Sequence, residues 1–112
     1  MDCKLGCRFT ARAERDIDSI LEYISEELCS PNAAAALGRK VFDCLDRLRM
    51  FPNSGKKVDN PYINDESLRK VFIDEYVLYY KVSETDMTLY VVAMIYGRRD
   101  LVHALRDLDR GD

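Results

Sequence analysis

The sequence predicts a single α+β domain in which an N-terminal helical hairpin packs on one face of a small antiparallel β-sheet, in the order β-α-α-β-β-β-α. Residues 11–51 hold two apolar stripes at helical spacing, and residues 68–96 hold three runs rich in Val, Ile, Tyr and Phe. A chain of 112 residues is also too short for two independent cores, so residues 1–112 are read as one domain.

At the start, Cys3, Leu5, Cys7 and Phe9 alternate with glycine or more polar residues, the period of a strand. Thr10 is placed to N-cap the first helix. Ala13, Ile17, Ile20, Leu21, Ile24 and Leu28 form its apolar face, with Glu22, Glu26 and Glu27 toward solvent. Cys29-Ser30-Pro31 ends it, with Ser30 as the cap of a second helix that Pro31 opens. Ala34, Leu37, Val41, Leu45 and Leu48 make the second stripe, flanked by Cys44 and Phe51. So short a connection folds the pair into an antiparallel hairpin.

Residues 52–67, broken by Pro52, Gly55 and Pro61, read as a long loop. LRKVFI (68–73), YVLYYKV (76–82) and TLYVVAMIY (88–96) read as an antiparallel meander with short connections. After Asp100, Leu101, Ala104, Leu105 and Leu108 recur at the spacing of a short terminal helix.

Strand parity adds an expectation. Tyr76, Leu78, Tyr80 and Val82 share one face, with Val77 and Tyr79 on the other. In the last run, Leu89, Val91, Ala93 and Ile95 oppose Tyr90, Val92, Met94 and Tyr96. Both faces are apolar or aromatic, and the hairpin covers only one. The other is expected to lie under the terminal helix, a partner chain or both, and a docked partner is the favoured account.

The 17 Lys+Arg and 20 Asp+Glu give a net charge of −3, which argues against wholesale coating of a polyanion. The balance is uneven. Arg39, Lys40, Arg47 and Arg49 on the second helix, with Lys56 and Lys57 after it, concentrate positive charge on one segment. No apolar run is long enough to span a membrane, and MDCKLGCRFT lacks an apolar leader, so a cytoplasmic protein is expected. Cys3 and Cys7, four apart on a strand, stand roughly 13 Å from each other, too far for a disulfide or a shared metal. Cys29 and Cys44 are isolated and His103 is the only histidine. The cysteines are read as reduced apolar fillers, and no metal or cofactor is expected.

Four segments, AERDIDSILEYISEEL, RLRMFPNSGKKV, LRKVFIDEYVLYYKV and VVAMIYGRRDL, resemble in their order and spacing the RelE/ParE superfamily of bacterial type II toxins. The resemblance runs from about Phe9 to Leu101. It implies a growth-arresting toxin, with the superfamily's sheet under a two-helix hairpin, neutralised by an antitoxin encoded beside it. ParE-like members poison DNA gyrase. RelE-like members are endoribonucleases that cut messenger RNA on the ribosome, and a third alternative is a non-toxic member that only binds an antitoxin.

RNA cleavage needs cations for the developing phosphorane and a group that moves protons. The resemblance offers Arg69, Arg99 and Tyr96 as catalytic candidates if the chain is RelE-like, with Lys70 and Arg98 beside them. The pattern departs at Val77, where such nucleases carry an arginine, and at Leu105, near which a catalytic aromatic is expected. His103 matches no catalytic position. These departures and the acidic balance favour the ParE-like reading. Arg39, Lys40, Arg47, Arg49, Arg98 and Arg99 are then the candidate antitoxin- or target-binding residues. A homo-oligomer is compatible with this reading.

Overall fold

The computed structural model describes residues 5–58 and 67–97. Within them the chain forms β1 (Gly6–Phe9), α1 (Ala11–Glu22), α2 (Pro31–Met50), β2 (Lys56–Lys57), β3 (Arg69–Ile73), β4 (Tyr76–Ser83) and β5 (Thr88–Tyr96). The predicted terminal helix from Asp100, together with Cys3, Arg98, Arg99, His103 and Leu105, lies outside the described residues.

The sheet has five strands in the order β1-β5-β4-β3-β2. Its meander is antiparallel as predicted, but β1 lies parallel to β5, so the sheet is mixed rather than antiparallel throughout. The reason is the path of the chain. β1 is followed by both helices and three strands before β5 comes alongside it, a crossover that allows parallel pairing. A second correction falls within the predicted loop. Pro52–Ser54 form a single 3₁₀ turn, and Lys56 and Lys57 then pair antiparallel with Lys70 and Arg69.

Thr10 caps α1 as its sequence position predicts. Its hydroxyl accepts from the Ala13 N–H (3.1 Å) and donates to the Val92 carbonyl (3.1 Å), which fixes the helix start to β5. β5 outruns β1 beyond Phe9, and the Asp16 carboxylate of α1 accepts the N–H of Met94 (3.2 Å) and of Arg12 Nε (3.3 Å). α1 widens into a π turn over Tyr23–Glu27. This last stretch carries two glutamates and no basic residue, the wrong charge for a helix C-terminus. Cys29 then takes the left-handed conformation (φ 49°) usually left to glycine. Ser30 occupies the cap position of α2, but its side chain makes no capping bond, and Pro31 alone carries the start signal.

The α2 stripe is buried as predicted through Ala34, Leu37, Val41, Cys44, Leu45 and Leu48. Phe51, expected beside that stripe, is exposed. These side chains meet Ile73, Leu78, Tyr80, Leu89, Val91 and Met94 on the helix-facing side of the sheet.

Strand parity holds in β4 and fails in β5. Tyr79 pairs with Ala93 and Tyr80 with Val91, so Val92 is an extra residue in the ladder, a β-bulge. Leu89 and Val91 therefore share the helix face with Met94, while Val92, Ala93 and Ile95 turn to the other side. That second face is buried within the single chain. Val77, Tyr79, Val92, Ala93 and Ile95 cluster there with Leu68, and Val58 packs against them. The expected vacant face for a docked partner is thus already covered.

Candidate functional site

The basic residues of α2 separate into two that bond within the fold and two that are exposed. Lys40 Nζ donates to both carboxylate oxygens of Asp74 (3.0 Å each), which ties α2 to the β3–β4 turn. Asp74 holds φ at 55°, and the Gly97 N–H, just past β5, donates to the Glu75 carbonyl of the same turn (2.9 Å). Arg49 Nε donates to the Leu5 carbonyl (2.6 Å), while the Leu5 N–H donates to the Arg49 carbonyl (3.1 Å). The end of α2 is thereby fastened to the entry of β1. Arg39 and Arg47 are exposed. Arg47 lines an open cleft of about 280 Å3 with Lys40, Asp43, Cys44, Phe72 and Asp74.

Arg69 is also a structural donor. Its guanidinium gives Nη1 to the carbonyls of Gly55 (2.7 Å) and Asn53 (3.4 Å). Beside it, the Tyr80 hydroxyl donates to the Pro52 carbonyl (2.6 Å) and accepts the Gly55 N–H (3.0 Å). The loop after α2 is so held against the sheet. Burial pushes the Tyr80 phenol above its ordinary range, with the Gly55 N–H and Arg69 acting the other way.

Tyr96 does not join Arg69. It packs edge-to-face on Tyr76, with ring centroids 5.7 Å apart. Tyr76 lies four residues along β4 from Tyr80, the cross-strand partner of Arg69. Strand rise and spacing therefore separate Arg69 from Tyr96 by roughly 16 Å. Val77 is 2% exposed in the second apolar cluster.

Two features were not anticipated as arrangements in the sequence. One is a cationic ladder at the β2 edge, where Lys56 stands opposite Lys70 and Lys57 opposite Arg69. Lys70 Nζ lies 5.7 Å from the centroid of the exposed Phe72 ring. The other is an apolar cleft of about 150 Å3 beside β1, lined by Cys7, Phe9, Phe42, Leu45, Asp46 and Arg49. Phe42 is 68% exposed and Phe9 40%. The available signal was Phe42 itself, a large aromatic standing off the buried stripe of its helix. Of the cysteines, Cys44 is buried, Cys7 half-buried and Cys29 exposed, so Cys29 is not the filler its apolar character suggested. Burial raises the thiol pKa of Cys7 and of Cys44, against the opposing charge of Arg49 and Arg47 respectively.

The sequence profile of the ParE toxin of type II toxin–antitoxin systems, parDE, matches residues 7–101. No curated protein matches the chain. Among solved structures, the chain is similar to the chromosomal ParDE system from P. aeruginosa, with TM-score 0.65 and 14% identity over 84% of this chain and 97% of that one. It is similar to the toxin–antitoxin complex RelBE2 from Mycobacterium tuberculosis, with TM-score 0.57 and 19% identity over 83% and 91%. The archaeal RelE–RelB complex from Pyrococcus horikoshii gives TM-score 0.58 and 14% identity over 86% and 98%. At such identities these likenesses establish the fold.

Proposed function

The chain belongs to the ParE toxin family of type II toxin–antitoxin systems, and from that premise we propose that it arrests growth in the cytoplasm by inhibiting DNA gyrase. In this reading a cognate antitoxin neutralises it. The observation that carries the proposal is the family match over residues 7–101. The antitoxin partner is supported by the neighbours solved as toxin–antitoxin complexes.

Three features favour a protein-binding inhibitor over a nuclease. Val77 stands buried in an apolar cluster, where an arginine would forfeit hydration worth several kcal/mol. The Arg69 guanidinium is directed at backbone carbonyls of its own chain. Tyr96 lies far along the sheet from it.

Purified chain added to gyrase is expected to inhibit supercoiling or to accumulate cleaved DNA. In a purified translation system it is expected to leave messenger RNA intact. Unaffected gyrase at micromolar concentration, together with cut message, would reverse the assignment.

A further inference from the structure

We propose that the face of the sheet turned away from the helices carries a band of cations that contacts the phosphate backbone of duplex DNA. This rests on the gyrase reading above and adds a direct contact with the DNA on which that enzyme acts. Strand parity assembles the band. Cys7 packs with the helix-facing cluster, so Arg8 turns to the other face, opposite Tyr90, and Tyr90 in turn stands opposite Lys81. Lys70 is opposite Tyr79 of the second apolar cluster, and Lys56 is opposite Lys70. Arg8, Lys81, Lys70 and Lys56 thus follow one another from β1 across β4 and β3 to β2. The strand spacings between them make the band roughly 19 Å long. That is about the axial rise of five to six phosphates on one strand of a duplex.

Arg8 and Lys56 are exposed, and Lys70 and Lys81 partly so. Lysine set directly against lysine is unfavourable within the fold, and among the described residues no carboxylate pairs with Lys56 or Lys70. The exposed carboxylates Asp18, Glu22, Glu26 and Glu27 ride on α1 and its π turn, whose apolar residues pack on the opposite face of the sheet. The net charge of −3 therefore conceals two unlike sides, and their field turns the basic one toward a polyanion. The Arg8 end is the weaker. Glu14 and Asp86 line the same open cleft as Arg8 and Tyr90, and Asp86 accepts the Tyr90 hydroxyl (3.1 Å). The aromatics beside the band, Tyr90 on β5 and Phe72 on β3, are separated by β4, and Lys70 Nζ lies over the Phe72 ring. Among the described residues of this face no two exposed rings adjoin to stack successive bases, so a duplex backbone fits it better than a single strand.

The test titrates the full chain onto a short labelled DNA duplex by fluorescence anisotropy, beside the gyrase supercoiling assay. A threefold rise in salt is expected to weaken binding about thirtyfold, as for three to four phosphate contacts. Lys70→Glu is expected to weaken it at least fivefold without lowering the thermal midpoint, because the new carboxylate faces Lys56. Arg8→Glu should cost about threefold. Lys57→Glu makes the same charge change on the helix side of β2 and should cost less than twofold. Equal losses from Lys70→Glu and Lys57→Glu would show that net charge rather than this face is sensed, and would overturn the band. Gyrase inhibition without DNA binding, undiminished by Lys70→Glu, would overturn the band and leave the gyrase reading standing. DNA binding that Lys70→Glu weakens, with supercoiling unaffected, would support the band and overturn the gyrase reading alone. Tenfold tighter binding of a single-stranded RNA of the same length would assign the face to RNA and refute the proposal.

Discussion

At one edge of the sheet, β2 offers two residues, both lysines, each facing another cation on β3. At the other edge, β1 offers Gly-Cys-Arg-Phe beside an apolar cleft. Short, lysine-bearing edges resist pairing with foreign strands, whereas an edge flanked by exposed aromatics invites it. The like-charged pairs at β2 are unfavourable in themselves, and that edge is held from behind. Tyr80 and Arg69 fix the loop Pro52–Gly55 by its backbone groups. β1 is paired along its length with β5, and side chains hold it at its entry, through Arg49, and at its exit, through Thr10. The β2 edge is closed in the sense that internal bonds hold its loop from behind, and the β1 edge is open in the sense that an apolar cleft lies beside it.

Breaking the closed edge should produce the largest effect. A Cβ on Gly55 would stand 2.5 Å from the Tyr80 hydroxyl and 2.8 Å from the Lys70 carbonyl. Gly55→Ala is accordingly expected to destabilise the fold by about 3 kcal/mol in urea titration, with β2 detaching first. Tyr80→Phe leaves the Gly55 N–H and Pro52 carbonyl without their partner and should lower stability by about 2 kcal/mol. Its neighbour gives the control. The Tyr79 hydroxyl is buried with no partner among the described residues, so Tyr79→Phe should raise stability by about 1 kcal/mol. Equal losses from both would show that the loop bonds are not what closes this edge.

The same tyrosines set a pH dependence. Burial holds the phenols of Tyr79 and Tyr80 above their ordinary pKa, so the folded chain binds those protons more tightly than the unfolded chain. Stability from this source is complete below pH about 10 and falls as the pH rises past it. Chemical denaturation at successive alkaline pH values should show the fall, and Tyr80→Phe should reduce it. The smallest change is expected from Lys57→Glu, which converts a like-charged pair with Arg69 into an opposite one. It should gain about 0.5 kcal/mol in the same denaturation assay.

The contrast between the edges was only partly legible in the sequence. The helical stripes, Thr10 as cap and the bounds of the last strand followed from local periodicity, which depends on nearby residues alone. The parallel seat of β1 depends on which distant strand comes alongside, and nothing in GCRF encodes that. The Val92 bulge lies in a run apolar at nearly every position, so a one-residue slip leaves no trace in the pattern. β2 was hidden because two lysines after a Pro- and Gly-containing turn carry no strand signal. Among the candidate site residues, the charges of Lys40, Arg49 and Arg69 were visible, but their partners were not. Asp74 and the carbonyls of Leu5 and Gly55 are brought to them only by the tertiary fold.

Residue-resolved hydrogen exchange in the isolated chain tests the difference between the two edges most directly. The account predicts rapid exchange at Cys7 and Phe9 between protected amides at Gly6 and Thr10, and protection at Gly55 and Val58, whose N–H groups are bonded at the closed edge. Protection of Cys7 and Phe9 equal to that of Gly6 would contradict it, because the β1 edge would then already be occupied.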